Sequence, residues 1–278
     1  MTTHKDATVE QWEHQELIEK TFNKNQTYSR IRAEFEDVGE ELKQHMIDNG
    51  IEPDFGYDLL VQMALHKRAD VATLVGTLRH HFAEAQDVLN MAIKCAEADL
   101  VEFVVDFNQF VVALDISEDV QEELDRFQYP LPCIIQPRTV DSNTDNGYHF
   151  VRKGSLILKQ NHHNDDICLD HINRVNAVRF RLDHDTAKMV KNQWSNLDKP
   201  KEGEEKEDFE KRVRAFEKYD RTAKDVMDFI QELGDEFYLT HKYDKRGRIY
   251  CQGYHCTYQG APWNKAVIQF ADGEVVEK

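Results

Sequence analysis

The sequence predicts a mainly α protein with a small β component, and three observations predict it. The first 128 residues place apolar side chains at helical spacing beneath strongly acidic faces. A long amphipathic segment runs from residue 209 to 233. Alternating apolar and polar residues gather near 148–160 and 237–254, where short strands are expected. Composition shifts divide the chain into an acidic helical region (1–128), a proline-rich crossing with short strands (129–168), a pair of long helices (169–236) and a terminal β region (237–278).

The chain has 278 residues, enough for one large or two modest domains, and its 40% apolar content is that of an ordinary folded protein. Its apolar runs, such as 110–116, are too short to cross a bilayer, and no membrane role is expected. The first fifteen residues lack the basic-then-apolar plan of a signal peptide, so a cytoplasmic protein is expected. Cys95, Cys133, Cys168, Cys251 and Cys256 are odd in number, widely spread and without a CxxC pair, which predicts reduced, mostly buried thiols.

Within the first region, residues 9–22, 30–47, 56–67, 70–82 and 87–107 each read as helical, with Asp70 and Asp87 as candidate N-caps. The prolines and the Asn146-Gly147 pair at 129–150 mark an extended crossing. Residues 148–160 read as strand, turn and strand, and 169–194 as one long helix. After a charged linker, Val213, Phe216, Ala223, Val226, Ile230 and Leu233 line one helical stripe that Gly234 should stop. Glu207/Lys211, Glu210/Arg214 and Glu217/Arg221 place acid before base one turn apart.

Charge is uneven. The net value of −17 argues against nucleic acid for the chain as a whole, yet residues 1–128 hold 11 basic and 27 acidic groups while 129–278 hold 24 and 25. Between His241 and His255 there are four basic residues and one acid. Screening limits the reach of charge to about 10 Å, so this local excess permits a polyanion site in the second half alone. In "YDKRGRIY" (243–250), Gly247 suits a tight reversal, and Arg246, Arg248 and Tyr250 share parity along a strand. Two guanidiniums beside a ring suit a polynucleotide: paired donors fit phosphate oxygens and the ring can stack on a base. Asp244 can hold an arginine by an ion pair, and the plain alternative is a hairpin of solvated charges.

With its surroundings, this stretch resembles the phage-type single-subunit RNA polymerases shared by phages and mitochondria. Their palm begins with an Asp/Thr-x-x-Gly-Arg element, matched here by Asp244, Gly247, Arg248 and Tyr250. Gln259, Gly260, Lys265, Phe270, Ala271 and Gly273 match the family's following Gln-Gly pair, lysine, apolar strand and Ala-x-Gly turn. Pro132, Ile134, Ile135, Pro137, Gly147 and Tyr148 resemble its proline-rich crossing. The family's Gln-x-Thr-x-Trp pattern is not kept; Asn176, Val178 and Phe180 lie there, and Arg138 stands near the place of a tryptophan.

The resemblance implies a helical N-terminal region, thumb-like long helices over 169–236, and the first strands of a palm-like sheet completed by a partner subunit. It implies the smaller subunit of a heterodimeric DNA-directed RNA polymerase, a nucleotidyltransferase inactive alone and working in the host cytoplasm if phage-encoded. The family's metal-binding aspartates and nucleotide-binding residues lie beyond Lys278, so no catalytic residue is expected in this chain and Mg²⁺ is expected on a larger catalytic partner. Arg246, Arg248, Tyr250 and Lys265 would contact DNA template and RNA–DNA hybrid, with Asp244, Gly247, Gln259 and Gly260 shaping the turns. Accessory DNA-binding proteins are further possible partners. The alternative is a non-enzymatic nucleic-acid-binding transcription factor that retains part of the polymerase fold.

Two other clusters offer metal-type ligands: His162, His163, Asp165, Asp166, Asp170 and His171, which could serve a metal-dependent hydrolase, and Cys251, His255 and Cys256. Neither has a compact ligand spacing, and a helix cap at Asp166 or Asp170 explains much of the first. His80 and His81 read as helix-face residues. No metal is expected in this chain.

Overall fold

The computed structural model describes residues 7–22, 24–151, 154–158, 163–193 and 197–273. The fold is mainly helical with three small antiparallel sheets. The chain forms two compact units, one of residues 24–125 and one of residues 1–23 with 126–278. Helix α1 (Val9–Thr21) therefore belongs with the second half of the chain rather than with the helices that follow it.

The unit of residues 24–125 contains α2 (Lys24–Asp37), α3 (Glu40–Asp48), α4 (Pro53–His66), β1 (Arg68–Asp70), α5 (Val71–Thr77), a 3₁₀ turn (Arg79–His81), α6 (Ala85–Glu97), β2 (Val101–Val104), β3 (Gln109–Val112) and most of α7 (Glu118–Phe127). Its axis is α4, apolar on nearly every face, with Phe55, Leu59, Leu60, Val61, Met63 and Ala64 all buried. Pro53 opens that helix, where a missing N–H costs nothing. A Cβ on Gly56 would lie 2.6 Å from Met46 Sδ, so glycine allows α3 to approach α4 closely.

Two expectations differ here. The helix expected over 30–47 breaks at Gly39, whose φ of +107° favours glycine and separates α2 from α3. The helix expected over 87–107 stops at Glu97, and β2 and β3 follow it. Val101, Phe103, Phe110 and Val112 are β-branched or aromatic, and they pair in a sheet of order β1-β3-β2 with Phe103 opposite Phe110. The region is thus helical with an added sheet. Asp70 does cap α5, accepting from the Thr73 amide at 2.9 Å, whereas Asp87 sits inside the first turn of α6.

The other unit contains α1, α8 (Leu169–Asn176), β4 (Arg179–Leu182), α9 (His184–Met189), α10 (Lys206–Leu233), β5 (Phe237–Tyr238), β6 (His241–Tyr243), β7 (Ile249–Cys251), α11 (Pro262–Val267) and β8 (Ile268–Phe270). The single helix expected over 169–194 is corrected to helix, strand and helix, which leaves the helical pair expected over 169–236 with one long member. Phe180 explains the change: it is buried in β4, which pairs with both β5 and β8, and a continuous helix would withdraw it from that sheet. Tertiary pairing overrides helical spacing at this point.

Helix α10 has 28 residues, about 42 Å at the usual rise. Its buried residues, Thr222, Ala223, Val226, Met227 and Ile230, all lie in the C-terminal half. Gly234 stops it as expected, its amide donating to the Ile230 carbonyl at 3.1 Å. Ion pairs join Lys211 to Glu207 at 3.3 Å and Arg214 to Glu210 at 3.9 Å. The described residues of 148–160 form no strand pair, only a parallel bridge between Ile157 and Tyr243; residues 152, 153, 159 and 160 lie outside the described residues.

Two buried polar side chains of α1 hold the proline-rich crossing. Gln15 Oε1 accepts from the Ile134 and Ile135 amides at 2.8 and 3.1 Å. Glu19 Oε1 accepts from Gln15 Nε2 and the His149 amide, both at 2.8 Å, and Oε2 from the Phe150 and Val151 amides at 2.6 and 2.7 Å. One carboxylate thereby satisfies three backbone donors that an irregular segment cannot pair by itself.

A candidate nucleic-acid interface at the arginine hairpin

Strands β6 and β7 pair antiparallel, with His241 opposite Cys251 and Tyr243 opposite Ile249. Between them the chain reverses through Asp244–Arg248. The Gly247 amide donates to the Asp244 carbonyl at 3.0 Å and the Asp244 amide to the Arg248 carbonyl at 2.9 Å. Gly247 has φ +78°, the left-handed geometry that glycine adopts without penalty.

The Asp244 side chain organises this turn. Its Oδ1 accepts from the Arg246 amide at 2.9 Å and the Arg248 amide at 3.0 Å. Its Oδ2 faces Arg248 Nε and Nη2, both at 2.8 Å, Arg246 Nε at 3.3 Å and the Tyr250 hydroxyl at 3.4 Å. Burial pushes the Asp244 carboxyl up, but hydrogen bonds from the Arg248 backbone and side chain outweigh it and hold the group below the ordinary aspartate range. The same bond to Asp244 raises the Arg248 guanidinium above its ordinary value.

The strand does not hold through Gly247, so shared parity is not what unites Arg246, Arg248 and Tyr250. They converge because all three reach one carboxylate oxygen. The Arg248 guanidinium carbon also lies 5.7 Å from the Tyr250 ring centroid, within cation–π range. Both arginine side chains remain more than half exposed, while that of Asp244 is only 15% exposed. The acid is largely covered, and both guanidiniums keep N–H groups that Asp244 does not engage.

The base of the hairpin is fixed by side chains from distant parts of this unit. Buried His241 lies 2.8 Å from Asn176 Oδ1 through Nδ1 and 2.7 Å from the Tyr258 hydroxyl through Nε2. Burial first, then the field of His171, lowers its pKa to about 4, so the imidazole is neutral at pH 7. Thr240 donates to the Tyr148 hydroxyl at 3.0 Å, tying the hairpin to the crossing. Gln259 acts as a strand residue would: its Oε1 accepts from the Cys251 amide at 2.7 Å and its Nε2 donates to the Ile249 carbonyl at 3.3 Å. At Gly260 a Cβ would meet Asn264 Oδ1 at 2.8 Å, and Asn264 is the side chain that accepts from the Ala261 amide at the start of α11. Lys265 is exposed on α11, outside the Asp244 network.

Sequence reasoning missed His241, Asn176 and Tyr258 as a set. Their positions are far apart in the chain, and no local pattern joins them.

The competing clusters resolve differently. Asp166 Oδ1 caps α8 by accepting from the Cys168 and Leu169 amides at 2.8 and 3.0 Å, and Asp170 pairs with Arg174. His162 lies outside the described residues, and His163, Asp165, Asp166, Asp170 and His171 do not converge as metal ligands. Nor do Cys251, His255 and Cys256; burial raises the Cys251 thiol to about 11 and the Cys256 thiol further. All five cysteines are free, three of them buried, Cys251 half-buried and Cys168 exposed.

A pair of catalytic Mg²⁺ ions needs clustered free carboxylates, and neither Asp244 nor Asp272 meets that need. Asp244 is engaged by two arginines, and Asp272 is paired with Arg179, which Glu236 also holds at 2.8 Å. No catalytic step is assigned to these residues. No helix among the described residues is long and apolar enough to cross a membrane.

No known protein-family profile matches this chain. It is similar to proteins described as probable DNA-directed RNA polymerase from two fungi. One, from Agaricus bitorquis, is 26% identical over 170 residues, covering 52% of this chain and 15% of the relative. The other, from Gelasinospora sp. (strain G114), is 27% identical over 155 residues, covering 47% of this chain and 16% of the relative. The matched part is thus about one sixth of those relatives' length, and the similarity is a partial relationship to RNA polymerases.

Proposed function

We propose that this chain is the template-holding subunit of a phage-type DNA-directed RNA polymerase, in which the Asp244–Tyr250 hairpin grips nucleic-acid phosphate. A larger partner polypeptide carries the metal-binding aspartates and the Mg²⁺ ions. The observation that carries the reading is the pair of exposed guanidiniums, Arg246 and Arg248, held on a single low-lying carboxylate beside an aromatic ring. Arginines tethered at Nε keep other donors for phosphate oxygens and lose less side-chain entropy on binding than free ones. In this reading Tyr250 would stack on a sugar or base, and Lys265, exposed on α11, would add a cation.

Partial similarity to RNA polymerases supports the same reading. So does the sheet of order β5-β4-β8, whose edge strand β8 leaves Phe270 66% exposed. A further strand from a partner can extend such an edge and cover that ring. In the assembled enzyme this joint should bury upwards of about 1,600 Å².

The test is reconstitution. The purified chain should not incorporate ribonucleotides, while coexpression with its polymerase-like companion should give Mg²⁺-dependent RNA synthesis. Arg248→Ala in the complex should weaken template retention, most strongly at low salt. Nucleic-acid binding with no companion that restores synthesis would instead favour the non-enzymatic transcription factor.

A further inference from the structure

Away from the hairpin, the unit of residues 24–125 brings one aspartate and two histidines together. Asp58 lies on α4 with its side chain 8% exposed; His80 and His81 follow it in the 3₁₀ turn, with side chains 63% and 12% exposed. His81 Nε2 is 2.8 Å and His80 Nε2 3.3 Å from the same oxygen, Asp58 Oδ2. One ligand atom from each of the three residues lies within 4.8 Å of the others, the one such group of three among the described residues.

We propose that Asp58, His80 and His81 form a binding site for a divalent transition-metal ion of the Zn²⁺ type. A tetrahedral ion with nitrogen and oxygen ligands at about 2.0–2.1 Å sets its ligand atoms roughly 3.3 Å apart. The His80 spacing from Oδ2 already matches that value and the His81 spacing falls short of it by about 0.5 Å, so admitting an ion requires the His81 ring to withdraw by that amount. Each imidazole would present its Nε2 lone pair and keep its proton at Nδ1. Two imidazoles and one carboxylate suit Zn²⁺, Co²⁺ or Ni²⁺; Mg²⁺ and Ca²⁺ prefer oxygen alone.

The surroundings already do what the outer shell of a metal site does. Arg32 Nη1 holds Asp58 Oδ1 at 2.6 Å, so the carboxylate is fixed with Oδ2 toward the imidazoles. Arg32 is itself held by Asp54 at 2.5 Å and Glu36 at 2.7 Å, which offsets its charge next to a cation. His81 packs edge-on against Phe55 at 5.4 Å, and the His80 and His81 rings lie 4.2 Å apart. Residues 24–125 carry 22 acidic and 8 basic groups, a field that draws cations.

The turn itself is anchored, the His81 amide donating to the carbonyl of buried Leu78. With three protein ligands and an exposed His80, the fourth position falls to water, and the ion would clamp the 3₁₀ turn to α4. This site is independent of the proposed polymerase role and departs from the expectation that the chain holds no metal.

The test uses the full chain stripped of metal with a chelator and titrated with Co²⁺. One equivalent should bind with the strong visible absorption of four-coordinate cobalt, and Zn²⁺ should displace it. His81→Gln and His80→Gln should each weaken binding at least ~10-fold, while the double variant His163→Gln/His171→Gln changes nothing. His80 is exposed, so its variant should fold like the parent, and circular dichroism checks that. Absence of saturable Co²⁺ binding at micromolar concentration, or binding unaltered by His80→Gln in a folded protein, would overturn the site.

Discussion

Glu19 and Asp244 are two carboxylates of the same unit, each organising an irregular stretch of chain, and they do it in opposite ways. Glu19 is fully buried and uses its oxygens on three backbone amides and Gln15 Nε2. Asp244 lies under an exposed turn and uses its oxygens on two backbone amides, two guanidiniums and a phenol. The first closes a segment off from ligands. The second fixes cations where a ligand can reach them. The difference separates a structural latch from a binding element even though both are hydrogen-bonded acids.

That contrast can be broken, and the largest effect should come from the latch. Glu19→Ala leaves three buried or half-buried amides without their acceptor, at ~1–3 kcal/mol each before relaxation. Urea unfolding should show a loss of about 3–5 kcal/mol, and a loss under about 1 kcal/mol would mean that Glu19 is not what binds α1 to the crossing.

The next effect belongs to the base of the hairpin. The unfolded chain protonates His241 near pH 6.5 and the folded protein only near 4. Between those values the unfolded state binds more protons, so stability should fall as pH drops from 6.5 to 4, by roughly 3 kcal/mol in all, and level off below that. His241→Asn should remove this slope from a series of urea melts at different pH. A parallel slope in the variant would assign the effect to other groups.

A smaller change is expected at the tip. Asp244→Asn keeps one oxygen for the turn amides but removes the charge that gathers the arginines. The fold should survive, the Arg246 and Arg248 amides should exchange hydrogen faster, and nucleic-acid affinity should fall. Unchanged affinity would show that the guanidiniums need no tether. Smallest of all is Glu204, which Arg212 holds at 2.6 Å and whose pKa falls to about 2, through Arg212 first and the Lys201 amide second. An NMR titration should find it ionised well below the ordinary 4.5, with Arg212→Ala returning it toward that value.

Sequence and structure agree where the determinants are local. The stop at Gly234, the cap at Asp70 and the reversal at Gly247 each follow from one residue's conformational preference or a contact three or four residues away. They part where the determinant is distant. Residues 169–194 carry helical spacing, but Phe180 answers to strands almost sixty and ninety residues later. The run at 101–107 reads as the end of a helix until the pairing of β2 with β3 is known. At the hairpin, the identity of the cationic cluster was readable and its cause was not, because parity suggested a strand face whereas one carboxylate oxygen gathers the side chains. The Asp58–His80–His81 group was invisible for the same reason: the two segments meet only through folding.

The claim that the hairpin grips a polyanion is tested most directly by the salt dependence of template-strand binding, compared between the assembled wild-type enzyme and its Arg248→Ala variant. Each phosphate contact to single-stranded nucleic acid contributes about 0.7 to the slope of log affinity against log salt. The account predicts a slope shallower by roughly that amount in the variant, with weaker binding at every salt concentration. Superimposable salt curves for the two proteins would contradict it.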